Sequence, residues 1–151
     1  MKNFILTILL LQLEMHLLCA QWITQYPYTA GVGLRDIEFI NNNTGWICGD
    51  GIILKTTNMG NNWVYLNSGS SDALNSIYFI NDNTGFVAGS NGRIIKTTDS
   101  GNSWTNQVSG TILSLKSIYF VNSELGFACG TASFGSSNVL LKTTNSGNNW
   151  N

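Results

Sequence analysis

One short pattern in this sequence has the composition of a chemical site. Thr97, Asp99, Gly101 and Trp104 bring a hydroxyl, a carboxylate and an indole together around a glycine. A carboxylate in such a turn can hold a cation, or it can accept hydrogen bonds from the backbone N–H groups that follow it. The pattern returns as Thr56, Asn58, Gly60 and Trp63, and again as Thr143, Asn145, Gly147 and Trp150. In both of those copies an amide stands where Asp99 stands. That exchange removes the charge a cation needs but keeps an oxygen that can accept hydrogen bonds. The spacing therefore predicts a structural turn with neither metal nor cofactor. The glycine supplies a positive φ that a side chain would resist, the threonine hydroxyl ties the turn, and the indole folds back onto the apolar side of its sheet.

Other chemistry is scarce. His16 is the only histidine, and it falls in a leader-like segment. A chain that has lost it cannot run a Ser-His-Asp or Cys-His mechanism or offer a histidine-based zinc site. Cys48 and Cys129 occupy the same repeat position as Ala88, which predicts small buried side chains there. A disulfide would have to join the first repeat to the third, within the ~7 Å that Cα atoms of a bridge allow, and none is expected. Seven Lys+Arg against eight Asp+Glu leave a formal net charge of -1. A nucleic-acid binder needs a basic excess to displace counterions, so this balance argues against that class.

The elements that would position these residues follow from repetition. The stretches TGWICG from Thr44, TGFVAG from Thr84 and LGFACG from Leu125 are each preceded by an alternating run, DIEFI from Asp36, SIYFI from Ser76 and SIYFV from Ser117. The tryptophans of the turn pattern lie 41 and then 46 residues apart, the excess falling in the Gly/Ser-rich segment from Thr131 to Asn138. In the middle repeat, strands are expected over Ile77–Ile80, Gly85–Gly89, Arg93–Thr98 and Ser103–Val108, separated by Asn/Asp/Gly/Ser turns. Four antiparallel strands in about 41 residues is the size of one propeller blade. Strands such as FVAG and RIIK are apolar on both faces, which suits a blade packed between two neighbours. The reading is an all-β chain of about three four-stranded antiparallel blades, an incomplete propeller, with repeats near 34–74, 75–115 and 116–151.

Residues 1–20 read as a secretory signal peptide, with Lys2 ahead of an apolar run from Phe4 to Leu13 and cleavage after Ala20. The run is too short and interrupted for a comfortable span, so no stable membrane span is expected after cleavage. A retained anchor and lipid attachment at Cys19 are the alternatives. The destination is the secreted or cell-envelope space, with residues 21–151 as the mature chain.

The repeated turn resembles the Asp-box, or BNR, repeat of sialidases and other propellers. The fuller unit, SIYF and TGF followed by KTTDSGNSW, is similar to the photosystem II assembly and stability factor-like family, over Trp22 to Trp150. The resemblance implies that the box is structural, and that the chain is a non-catalytic module whose partner is another protein or an envelope component. In that family a basic, arginine-bearing face meets the partner, which makes Arg35, Arg93 and Lys116 candidate partner-binding residues. A structural cell-surface repeat is the second reading. A sialidase-like hydrolase is the third, and Arg35 and Arg93 fall short of the arginine triad that such an enzyme needs. Three blades are fewer than the four to eight with which propellers close. The expectation is therefore the N-terminal part of a longer propeller, with self-association as the alternative.

Overall fold

The computed structural model describes residues 31–132 and 137–151. The expected leader, Cys19, His16 and the opening strand near Trp22 lie outside the described residues. Three antiparallel sheets follow one another along the chain. The first holds β1 (Leu34–Phe39), β2 (Gly45–Gly49), β3 (Ile53–Thr56) and β4 (Val64–Leu66), hydrogen-bonded in that order. The second repeats it with β5 (Leu74–Phe79), β6 (Gly85–Gly89), β7 (Ile94–Thr97) and β8 (Thr105–Gln107). The third holds β9 (Ser114–Phe120), β10 (Gly126–Thr131) and β11 (Asn138–Thr143). Beyond β11 the backbone of Asn151 exchanges hydrogen bonds with Lys142, at 2.7 and 3.1 Å, where a fourth strand would begin. A single 3-10 turn at Ser90–Gly92 is the one helical element among the described residues.

Each sheet is one up-and-down blade. The tight turns are set by asparagines: the Asn81 side chain accepts from the backbone N–H of Asn83 and Thr84, and Asn41 and Asn122 do the same in their blades. The glycine that opens each second strand has a steric reason. A Cβ on Gly85 would lie 2.6 Å from the Phe79 ring, and Gly45 and Gly126 sit equally close under Phe39 and Phe120. The first strand of every blade carries a β-bulge at one repeat position, occupied by Arg35, Asn75 and Lys116.

The core lies between blades. Trp46 stacks on Phe79 of the next blade at 3.6 Å, and Phe86 stacks on Phe120 at 4.2 Å. Around the first pair Cys48, Ile53, Leu74 and Ile77 are buried, and around the second Ala88, Ile94, Leu115 and Ile118 are. Polar groups of the first strands cross the same joints. Asp36 and Glu38 accept from the backbone N–H of Ile77 and Phe79 at 2.9 and 2.6 Å. In the next joint Ser76 accepts from Ile118 N–H, and the Tyr78 hydroxyl donates to the Phe120 carbonyl at 2.9 Å.

Some strands are shorter than the sequence suggests. The expected strand Ser103–Val108 narrows to Thr105–Gln107, because the backbone N–H of Ser103 is committed to Asp99. The tryptophans of the turn pattern also divide. Trp150 is buried, whereas Trp63 and Trp104 are only half-buried at the blade edge. The fully enclosed indole belongs to Trp46, which lies outside the pattern.

Candidate partner-binding face

The two ends of the blades have different chemistry. One end carries the three boxes. In the middle box the buried Thr97 hydroxyl donates to Asp99 Oδ1 at 2.7 Å and accepts from the N–H of Gly101 at 2.8 Å. Asp99 Oδ1 accepts from Ser103 N–H at 2.9 Å, and Oδ2 accepts from the Ser103 hydroxyl at 2.6 Å. Those Ser103 bonds, with the one from Thr97, hold the Asp99 carboxyl at about 2, below the usual carboxylate range. Asn58 and Asn145 accept the matching bonds from Thr56 and Asn62, and from Thr143 and Asn149, all at 2.9–3.0 Å. Asn58 and Asn145 have a single acceptor oxygen, and Asn62 and Asn149 stand in place of Ser103, so a second carboxylate oxygen accepting from a hydroxyl occurs only in the middle blade. Gly101 takes φ 89°, and the residue before it, Ser100, is also left-handed at φ 64°.

The repeated lysine of the third strand reaches across to the next blade in the first two blades. Lys55 Nζ donates to the Ser100 carbonyl of the next blade's box at 3.2 Å, and Lys96 donates to the Ser146 carbonyl at 2.8 Å. Each ammonium also lies over the aromatic ring of its own blade's second strand, Trp46 or Phe86, at 5.3 and 5.4 Å. Burial lowers the Lys96 pKa. Alternation marks this side chain as outward-facing, and the sequence held no sign that a neighbouring turn would meet it. Glu38 was also hidden as an ordinary strand residue. Burial, partly offset by the Phe79 N–H and reinforced by the Asp36 carboxylate, pushes its pKa up to about 7.

The opposite end gathers the three candidate partner-binding residues. Arg35 and Lys116 occupy the bulge position of the first and third blades, with Asn75 between them. A bulge re-aims its side chain and is common beside functional sites. Arg35 pairs with Asp50 at 2.6 Å and reaches Asn75 at 3.3 Å. Asn75 in turn donates to the Leu115 carbonyl at 2.7 Å. Arg93 is held by Asp72 at 2.6 Å and donates to Asn106, and its hydrogen bonds are the leading cause of the lowered Asp72 pKa. Both guanidinium groups are thus largely neutralised in place. Lys116 is exposed and forms no ion pair among the described residues. Two grooves open on this end, of about 570 Å³ beside Arg93, Asn106 and Val108, and of about 400 Å³ beside Asn91, Ser114 and Lys116. Ile112 stands between them, 86% exposed, with Val108 nearby at 82%.

The cysteines also separate. Cys48 is buried, its thiol pKa pushed up to about 12 by burial, while Cys129 is exposed, and both are free thiols. Among the described residues no cluster of three or more His, Cys, Asp or Glu could hold a metal, and no helix is long and apolar enough to cross a membrane.

Comparison with known proteins adds a family to this geometry. The family model described as photosynthesis system II assembly factor YCF48 matches residues 68–151. A structure of YCF48 bound to D1 peptide is 23% identical, with a TM-score of 0.67 over 80% of this chain and 39% of that one. YCF48 from Cyanidioschyzon merolae is 22% identical, with a TM-score of 0.68 over 85% of this chain and 42% of that one. A GH74 enzyme of Niastella koreensis aligns at 16% identity and a TM-score of 0.65, over 79% of this chain and 22% of that one. These likenesses show a propeller fold, and the chain spans about two fifths of the length of the YCF48 structures. No curated protein matches.

Proposed function

The chain belongs to the photosynthesis system II assembly factor YCF48 family, and from that premise we propose that it is a non-catalytic, exported module that holds a segment of another protein. The observation that carries this reading is the end face opposite the boxes. There, exposed Ile112 and Val108 stand beside two open grooves and Lys116, which has no ion-pair partner among the described residues. Apolar anchors with a polar rim are the usual make-up of a protein-binding patch. The structure of YCF48 with D1 peptide makes a peptide the natural ligand class for this chain as well. Neutralised arginines leave Lys116 to select an acidic group on the partner.

The hydrolase alternative draws on the likeness to GH74 enzymes and on Glu38, whose raised pKa beside Asp36 is what a general acid needs. Both carboxylates, however, are spent on backbone N–H groups of β5. The location follows from the leader-like residues 1–20, and the partner is sought in the cell envelope.

A photo-crosslinking residue placed at Ile112 in exporting cells tests the proposal. The expected result is one dominant protein adduct that weakens several-fold on Lys116→Glu, with no such adduct from the exposed position Val64. Equal adducts from both positions, or no effect of Lys116→Glu, would refute the assignment of this face.

A further inference from the structure

The repeats agree closely at the box end and part at the other. Arg93 stands where the first and third blades have Ile52 and Val139. Asp72, in the link from blade 1 to blade 2, stands where the next link has Leu113. In that next link Val108 and Ile112 replace Asn67 and Ser71. A residue that departs from its repeat is not required by the blade, and these departures meet at one groove. Arg93, Asn106, Val108 and Ile112 line the groove of about 570 Å³. Asp72 holds its cation. Arg93 Nε and Nη2 both donate to one oxygen of Asp72, Oδ2, at 2.9 and 2.6 Å. The other oxygen, Oδ1, accepts from the Asn91 amide at 2.9 Å. Arg93 Nη1 donates to Asn106 Oδ1 at 2.6 Å, which fixes the far edge of the guanidinium in the groove.

A carboxylate in its best geometry on arginine uses both oxygens, in two parallel bonds. Asp72 does not, because Asn91 holds its second oxygen. Its pair with Arg93 is the one-oxygen form, with the two side chains 28% and 20% exposed, so solvent and a ligand can reach it. We infer that Asp72 is a built-in stand-in for an acidic side chain of the partner. A glutamate or aspartate of the bound segment displaces Asp72 from Arg93, while an apolar residue next to it rests on Val108 and Ile112. This inference rests on the reading of the end face as the partner's seat, and it adds a second acidic contact to the one at Lys116. The displaced Asp72 keeps the Asn91 amide on Oδ1 and the Ser70 hydroxyl on Oδ2, at 2.9 and 3.2 Å. Arg93 keeps Asn106. The exchange makes one ion pair and breaks another. An acidic group without an apolar neighbour therefore gains little at Arg93, and the clamp works as a filter against wrong partners.

The full chain is titrated with an N-acetylated leucyl-glutamate amide, and the Arg93 Nε–H and Ile112 methyl resonances are followed by NMR. Asp72→Asn is expected to bind this probe several-fold more tightly than wild type, and Asp72→Ala to do the same, which guards against one variant disturbing the link. The glutamine analogue of the probe should not distinguish them. Added salt should weaken binding to Asp72→Asn, where a pair is made, more than to wild type, where one pair replaces another. Arg93→Gln should abolish the gain from Asp72→Asn. In exporting cells, the crosslinked adduct from Ile112 should rise several-fold on Asp72→Asn and not when Arg93→Gln is added. Equal affinity and equal salt dependence in wild type and both Asp72 variants overturn the exchange. If the Ile112 adduct still forms and still answers to Lys116→Glu, that result leaves the face standing and removes only the clamp. Absence of the adduct in every background removes the seat, and the exchange falls with it.

Discussion

Replacing Thr97 by valine tests whether the box is held by its hydroxyl. Valine keeps the shape and the methyl group of this buried side chain, 1% exposed, and puts a second methyl in place of the hydroxyl. That oxygen accepts from the buried Gly101 N–H at 2.8 Å and from Asp99 N–H at 3.2 Å. Gly101 is held at φ 89° and buried against Leu66 and Trp46 of the preceding blade, so no water replaces the lost acceptor. A buried donor left without a partner costs about 1–3 kcal/mol. Against a total stability of about 5–15 kcal/mol for a domain, that is a large loss. Thr97→Ser keeps the acceptor and gives up one methyl, worth about 0.8 kcal/mol. Urea unfolding should rank valine as the more damaging change, and amide exchange at Gly101 should speed up in the valine variant but not in the serine variant. If serine proves as costly as valine, or the Gly101 amide stays protected in both, the hydroxyl does not organise the turn.

Two further outcomes follow from the joints between blades. Glu38 has its pKa raised from 4.5 to about 7, chiefly by burial, so folding favours its protonated form. Its contribution to stability is complete below about pH 4.5 and is lost as the pH rises through 7. Glu38→Gln should flatten the fall in melting temperature between pH 5 and pH 7.5, and an unchanged slope would place the titration elsewhere. Lys96→Met keeps the aliphatic stem and removes the ammonium from the Ser146 carbonyl. It should cost about 1–2 kcal/mol and loosen the Ile118 and Phe120 amides by hydrogen exchange, while Ile77 and Phe79 stay protected.

Much of the blade was legible because it is local. Period-two alternation marks the first strands, and Asn41, Asn81 and Asn122 mark the turns that follow them. The box geometry could be drawn from Thr97, Asp99 and Gly101 alone, since all three act within one turn. What stayed hidden lies between repeats. Nothing near Glu38 in sequence announces the Phe79 N–H, because the partner is 41 residues away. Lys55 and Lys96 read as surface residues until the next blade's turn is brought to them. The bulge that groups Arg35, Asn75 and Lys116 is a register shift, and register shifts leave no composition signal. The box tryptophans fold back at the edge of their sheets, whereas the deepest places belong to Trp46 and Phe86, which sit where two sheets meet.

The lysine that reaches forward to the next box has a consequence for how such a protein grows. A tandem duplication of one repeat inserts a blade whose forward contacts and backward contacts are both already encoded. Neither flanking blade needs a compensating substitution, because each meets the residues it met before. The number of blades is then limited by the wedge angle of each unit and the closing of the circle, not by recognition between neighbours. The box position, Asn58, Asp99 and Asn145 in turn, needs only an acceptor oxygen, so either residue meets the requirement of the turn.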